Sequence, residues 1–393
     1  MVSSTIDYYE INKNLLRFVG QWPYQKPRER RFIFIFTMIL VINAMVPQVA
    51  QFFVCENMEC VYETIPPHML AIMLLIKYFT LHLNKNQVKD LTDRLFINWN
   101  IIDNEEERKI MEKYAKTGKW YSKMYASYVY IGIVLFSFTG FMPRVLDFII
   151  PLNTSRPLML PYPAYYFVNE EKYFYYIFCH MLFSAEIGLS GIAAHDCLLF
   201  VYIEHACSLF AVNGFRFEHM LYKRNIEKTI IINHADEVYC KNVVFAIHAH
   251  REALEFALLL ENTFTLSFGI QILMVTVGMS ISLVQFSIQL PNNLAGAMRY
   301  LLFIGGQLFH LFCYSFEGQK LINHSSETCD KIYNGSWYKI PPSAQRLLLM
   351  VMRKSIEVTT LTAGKIYVFS LESFTTVLQT SMSYFTVLSS FSE

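Results

Sequence analysis

The last apolar run of the chain, Ile366 to Leu388, is long enough to cross a bilayer as a helix, yet one of its faces is polar. Glu372, Thr376, Gln379, Ser383, Thr386 and Ser390 recur at three- and four-residue steps and so share a face. Val368, Phe369, Leu371, Phe374, Val377, Leu378 and Phe385 lie largely elsewhere around the helix. Lipid cannot satisfy such a stripe, so it must face protein or water. Two readings stand side by side: hydrogen bonding to neighbouring helices, which the pattern alone favours, and the lining of an aqueous pore. Just upstream, Pro341-Pro342 suits a helix start and Arg353-Lys354 a helix end, while Gly364-Lys365 marks a break.

The rest of the chain repeats the membrane signal. Only 17% of its 393 residues are charged, where soluble proteins carry about a quarter, and 54% are hydrophobic. The apolar runs predict an all-α, polytopic membrane helical bundle of seven transmembrane helices. The first six are placed at about Phe32–Val54, Pro67–Leu83, Tyr121–Phe141, Tyr173–Phe210, Phe256–Leu290 and Leu294–Phe316. The fourth exceeds one bilayer thickness and should tilt or project. Lys and Arg crowd 84–119 and 211–255 and are absent from 55–64, which predicts a cytoplasmic N-terminus and an extracellular C-terminus. Residues 1–31 are polar and mixed, without the apolar core of a cleaved signal peptide, and Leu15 to Trp22 suits a short interfacial helix. The sequon at Asn153 then lies outside the cell and is available for glycosylation, whereas those at Asn323 and Asn334 are not.

The chain offers little enzyme chemistry. Its net charge of +1 argues against a nucleic-acid partner. His248, His250 and Glu252 form a weak metal pattern without a third placed ligand, better read as a solvated helix, so no metal or cofactor is expected. No phosphate-binding glycine loop or nucleophile–base pair is present, which reads as a non-enzyme. Cys55 and Cys60 pair only if the loop between them allows it. Glu186 sits within an apolar run, as a helix contact or as a pocket or water-path residue.

Ordered motifs over the last quarter of the chain carry a family resemblance. They are Phe316-Glu317-Gly318, Tyr333 before Trp337-Tyr338, Pro341-Pro342, Leu361-Thr362-Ala363-Gly364-Lys365, Ser370-Leu371-Glu372-Ser373-Phe374 and Ser383-Tyr384-Phe385-Thr386-Val387-Leu388. Together they resemble the C-terminal signature of insect odorant receptors. Tyr384 follows Ser383 with no Gln-Phe beyond, which favours the odorant over the gustatory branch. The remaining chain agrees in length and hydropathy only.

The resemblance implies an odorant-specific subunit of an odorant-gated, non-selective cation channel. Such a subunit sits in the plasma membrane of olfactory sensory neurons and assembles with a common co-receptor into a heterotetramer. Residues 1–31 would be a cytoplasmic segment and 32–316 helices one to six. Residues 317–360 would form the cytoplasmic anchor, with Trp337 and Tyr338 at the subunit contact, and 361–393 the pore helix. A small volatile hydrophobic odorant would sit in the outer half of the bundle, where apolar and aromatic walls carry a few polar groups. His68, Met69, Ile72 and Met73 fit from helix two, and Phe136, Ser137, Gly140 and Phe141 from helix three. Tyr173, Tyr176, His180, Phe183 and Ser184 fit from helix four. With the resemblance, the polar stripe becomes a pore lining that includes Thr376, Gln379 and Ser383. Its apolar constriction maps to Val387 and Phe391, the latter bulkier than the aliphatic residue expected there. A G-protein-coupled receptor is the alternative. It would want a basic triad after helix three, where Phe141-Met142-Pro143 stands. A transporter would want an internal repeat with paired broken helices.

Overall fold

A computed structural model describes residues 2–149, 156, 158–219, 235–291 and 293–390. Asn153 and Phe391, named above, lie outside them. The described chain is a bundle of α-helices: α1 (Val2–Phe18), α2 (Pro27–Val54), α3 (Met58–Leu83), α4 (Lys85–Ile101), α5 (Glu105–Thr139), α6 (Met142–Ile149), α7 (Glu170–Glu218), α8 (Ala235–Gln289), α9 (Leu294–Asn334), α10 (Pro342–Ser355) and α11 (Leu371–Ser390). A hairpin of β1 (Thr362–Ala363) and β2 (Tyr367–Val368) joins α10 to α11.

Several helices are longer than hydropathy predicts, because it sees only the apolar part of each. The 49 residues of α7 and 55 of α8 span about 74 and 82 Å, more than twice a hydrocarbon core of about 30 Å. The charged first half of α5 extends it back from Tyr121 to Glu105, where Asn104 caps the Glu106 amide. Helix α3 begins at Met58 rather than Pro67. Asn57 accepts from the Cys60 amide, and Pro66 and Pro67 sit inside the helix. The α2–α3 connection shrinks to a tight turn closed by a Cys55–Cys60 disulfide. Four helices, α2, α3, α7 and α8, are individually long and apolar enough to cross a membrane.

Lipid explains the surface pattern. On α2, Phe32, Ile35, Phe36, Ile39, Ile42, Val46, Val49 and Phe53 are all exposed and lie on one side at helical spacing, while Thr37, Val41, Ala44 and Gln48 face inward. Helix α7 runs through the middle and packs on α3, α5, α8 and α9. Gly188 and Gly191 let α3 approach it, since a side chain at either would run into Leu74 or Tyr78. At the end away from the disulfide, Arg216 of α7 donates to Glu107 of α5 at 2.6 Å, and Lys320 of α9 pairs with Glu204 of α7. Helix α1 is also drawn into this end. Leu16 and Val19 are fully buried and the Trp99 indole donates to the Tyr9 hydroxyl at 2.8 Å, so the segment before Trp22 is not a free interfacial helix.

The break at Gly364-Lys365 is a hairpin turn. Both residues have positive φ, 60° and 61°, and form the centre of a turn closed by the Ile366 amide donating to the Ala363 carbonyl at 3.2 Å, in a three-residue connection. Thr362 pairs with Val368 and Ala363 with Tyr367. The Gly364 amide donates to the Thr265 carbonyl at 2.9 Å and the Thr265 hydroxyl to the Thr362 carbonyl at 3.0 Å, so the hairpin is pinned to α8. Residues from Ile366 to Ser370 are therefore not helical, and α11 has 20 residues, about 30 Å, still enough to span.

Candidate functional site

A cavity of about 340 Å³ lies among α3, α5, α7, α8 and α9, within the range of small-molecule pockets. Met69 and Met73 come from α3, Gly132 and Phe136 from α5, Leu189 and Ile192 from α7, Met274 and Val275 from α8, and Phe303 from α9. One end is polar, with Tyr125, Tyr128, Gln307 and His310.

That polar end is the rim of a buried charged network. Asp196 of α7 accepts from Lys77 at 2.5 Å, Tyr314 at 2.5 Å, Tyr125 at 2.6 Å and the neighbouring His195 at 2.9 Å. Lys77 also reaches the Tyr314 hydroxyl at 3.2 Å and His310 Nε2 at 3.5 Å. His310 Nδ1 lies 2.7 Å from the Tyr125 hydroxyl, whose proton serves Asp196, which assigns Nδ1 as the protonated nitrogen. Gln271 Nε2 then donates to His310 Nε2 at 2.5 Å. Five helices meet here, and the carboxylate and ammonium have the partners that burial of charge demands.

The network continues to the last helix through aromatic contacts. The Tyr314 and Phe268 rings lie 5.7 and 5.1 Å from that of Phe369, which is buried just before α11. Gly318 makes room for it, since a side chain there would meet Phe369. Further along, Val377 of α11 shares an apolar cluster with Val275, Met279 and Leu311, and Val275 also lines the cavity.

The other face of α11 carries the polar stripe. Glu372, Thr376, Gln379, Ser383 and Thr386 are all exposed, as is Val387 at 53%. Hydroxyls of Ser383 and Thr386 donate to carbonyls one turn back, at 2.9 and 3.1 Å. Among the described residues, no helix buries this stripe. Its buried side is instead Val377 and Ser381, so the helix-packing reading does not apply within one chain.

The structure divides the ligand-contact residues named from the sequence. Met69, Met73 and Phe136 line the cavity. Ser137 and Ser184 line a second cavity of about 140 Å³ beside it, and Phe136 lines both. The remaining eight line neither. His68 sits edge-on to Phe52, with ring centres 5.5 Å apart, and Ile72 is half-buried. Gly140 backs onto Phe178, with Phe141 edge-on to the same ring. His180 Nδ1 lies 2.8 Å from the Tyr166 hydroxyl. Tyr173, Tyr176 and Phe183 are 40, 77 and 53% exposed, because that face of α7 turns outward while Ile177, Met181 and Ser184 turn in. Glu186 is exposed too. The buried carboxylates of α7 are Asp196 and Glu204, and a charge in an apolar run is the signal that points to Asp196.

Other named groups are also placed. His248 is exposed whereas His250 is buried against Phe210 and Phe217, and among the described residues no three metal-ligating side chains converge. Trp337 and Tyr338 form a 3-10 turn between α9 and α10, with Tyr338 63% exposed.

Comparison with known proteins agrees with this architecture. Odorant receptor 22c of Drosophila melanogaster is 30% identical over 104 residues, 26% of each chain. Odorant receptor 13a of the same species is 24% identical over 252 residues, 59% of this chain and 56% of its own. These matches thus span between a quarter and just over half of the relatives' length. The structure of the insect olfactory receptor OR5 from Machilis hrabei in complex with eugenol superposes with a TM-score of 0.78 over 97% of both chains at 11% identity, a likeness of fold. The family model described as 7tm Odorant receptor matches residues 57–382, and the chain belongs to this family of helical membrane receptors, which are not enzymes.

Proposed function

We propose that this chain is an odorant-specific subunit of an odorant-gated, non-selective cation channel. The observation that carries the reading is the two-sidedness of α11. Val377 packs on the wall of an apolar cavity, while Thr376, Gln379 and Ser383 face away from the chain. A stripe that no described helix of the same chain buries needs other subunits or water. Copies of α11 around an axis supply both, with Val387 in the narrow apolar ring and Phe391 beyond it. The cavity takes a small volatile hydrophobic ligand through Met69, Met73 and Phe136. Its polar end communicates with α11 through Asp196, Tyr314 and Phe369.

The remaining assignments follow from this reading. Seven helices span the plasma membrane of olfactory sensory neurons: α2, α3, α5, α7, α8, α9 and α11, with the N-terminus inside and the C-terminus outside. Residues 317–360 form the cytoplasmic contact with a common co-receptor in a heterotetramer. Exposed Trp337, Tyr338, Leu349, Met350 and Ile356 give that region an apolar surface of the kind interfaces use. The G-protein-coupled alternative gains no support from the family match or the fold likeness.

The test is voltage clamp of cells expressing the chain with and without the co-receptor, across a panel of volatiles that includes the eugenol of the OR5 structure. Odorant-evoked cation current that persists when G-protein signalling is blocked is the expected result. Current that requires G-protein signalling would overturn the proposal.

A further inference from the structure

We propose that the second, smaller cavity is an accessory chamber of the ligand site that binds the hydroxyl end of an elongated alcohol. The proposal rests on the larger cavity being the odorant pocket. The chamber lies between α2, α3, α5 and α7 and measures about 140 Å³. That is close to the roughly 150 Å³ of an apolar cavity that accepts a benzene-sized guest. It is too small for most odorants alone and suits one end of a longer molecule.

The two cavities share a partition. Phe136, Leu189, Leu70, Ile133 and Phe303 line both, as does Gly132. At Gly132 an added Cβ would meet no atom within 4 Å, so the partition is open or thin at that point. A flexible ligand in the main cavity can extend past Gly132 with little rearrangement of the helices.

The chemistry of the chamber singles out the ligand class. Its walls are mostly apolar, but they include two deeply buried polar residues, Gln48 at 4% and Ser184 at 6% exposure. Neither Ser184 Oγ nor Gln48 Oε1 has a hydrogen-bond partner among the described residues. Other serines nearby do not share this state: Ser137 donates to the Ile133 carbonyl at 2.6 Å and Ser190 to the Glu186 carbonyl at 2.7 Å. A buried polar atom without a partner is costly, and a ligand that supplies one recovers the loss. Ser184 has a proton to donate and Gln48 Oε1 a lone pair to offer. A hydroxyl can serve either group. An ether or ester satisfies only the donor, and a hydrocarbon neither.

The experiment uses full-length chain with its co-receptor under voltage clamp. The probes are straight-chain and phenyl-substituted primary alcohols, each compared with its methyl ether. Alcohols that outgrow the main cavity should be more potent than their ethers by about tenfold. Gln48→Met, which removes the acceptor, should abolish that preference by weakening the alcohol to the level of its ether, and Ser184→Ala should weaken both. Gly132→Leu, whose Cβ the local space admits, should weaken the longer alcohols more than the shortest. Surface labelling of each variant keeps folding separate from recognition. Met73→Trp, placed in the main cavity only, is the reference and should weaken every agonist.

If Met73→Trp acts but Gln48→Met leaves the alcohol preference intact, water alone satisfies these groups. The accessory chamber is then refuted while the odorant pocket stands. If Met73→Trp has no effect on any agonist, the pocket assignment fails and this proposal with it. A receptor that responds to none of the alcohols also overturns the proposal.

Discussion

Lys77 and Asp196 are 119 residues apart in sequence and meet in the middle of the bundle, each at most 1% exposed. Removing one partner of a buried pair leaves the other uncompensated, at a cost of roughly 3–5 kcal/mol. Lys77→Met should therefore lower the melting temperature of the purified complex markedly, and Lys77→Met with Asp196→Asn, which removes the charge but keeps an acceptor for Tyr125 and Tyr314, should recover part of the loss. A Lys77→Met protein that melts like wild type would show the pair to be dispensable. The pocket gives a contrasting pair. Phe136→Ala should shift odorant potency by about tenfold, and Tyr176→Ala should leave it within about twofold, because Phe136 lines the cavity and Tyr176 faces outward. Dose–response curves at matched surface expression decide between them. The limits of the sequence are visible at these same residues. Tyr173, Tyr176, His180 and Phe183 do share a face of α7, as their spacing indicates. In lipid, however, both sides of a helix are apolar, so hydropathy does not say which side is inward. The charges of Lys77 and Asp196 are conspicuous in the sequence, but their partnership depends on packing.

Among the elements, α11 and the segment before it hold the clearest tests. A closed apolar ring excludes ions by dewetting, so a polar residue at Val387 should lower the cost of keeping water there. Val387→Ser is expected to leak current without odorant or to move the dose–response curve to lower concentration. Wild-type basal current, potency and ion preference together would remove α11 from the gate. Trp337→Ala should reduce co-purification with the co-receptor, since buried aromatics dominate such interfaces, and undiminished yield would count against the contact. The break at Gly364-Lys365 and the limits of α10 at Pro342 and Ser355 are legible from turn and capping residues. The hairpin is not, because strands of two residues are too short for an alternating pattern to register. Pro66-Pro67 likewise reads as a helix start, yet membrane helices tolerate internal proline, and α3 runs through it.

At the scale of the whole molecule, orientation is the quantity to measure. With the N-terminus inside, Asn153 should carry glycan while Asn323 and Asn334 should not. Deglycosylation followed by mass spectrometry reads all three, and occupancy at Asn334 would reverse the orientation. The bundle class is legible from composition and long apolar runs, whereas the central role of α7 is not, since close packing at Gly188 and Gly191 depends on which helix lies opposite. The way α11 is mounted has a mechanical consequence. Its base is clamped by the hairpin and by Phe369, its middle rests on α8 and α9 through Val377 and Ser381, and its outer turns are largely uncovered. A rod held in this way pivots about its clamped base, and leaning away from a central axis presses Val377 and Ser381 toward α8 and α9. From Leu371 to Val387 the arm is about 24 Å, so a tilt of only about 5° carries Val387 sideways by about 2 Å. If four such arms surround the proposed pore, a lean of about 2 Å in each would widen it by about 4 Å, more than the roughly 2.8 Å width of a water molecule.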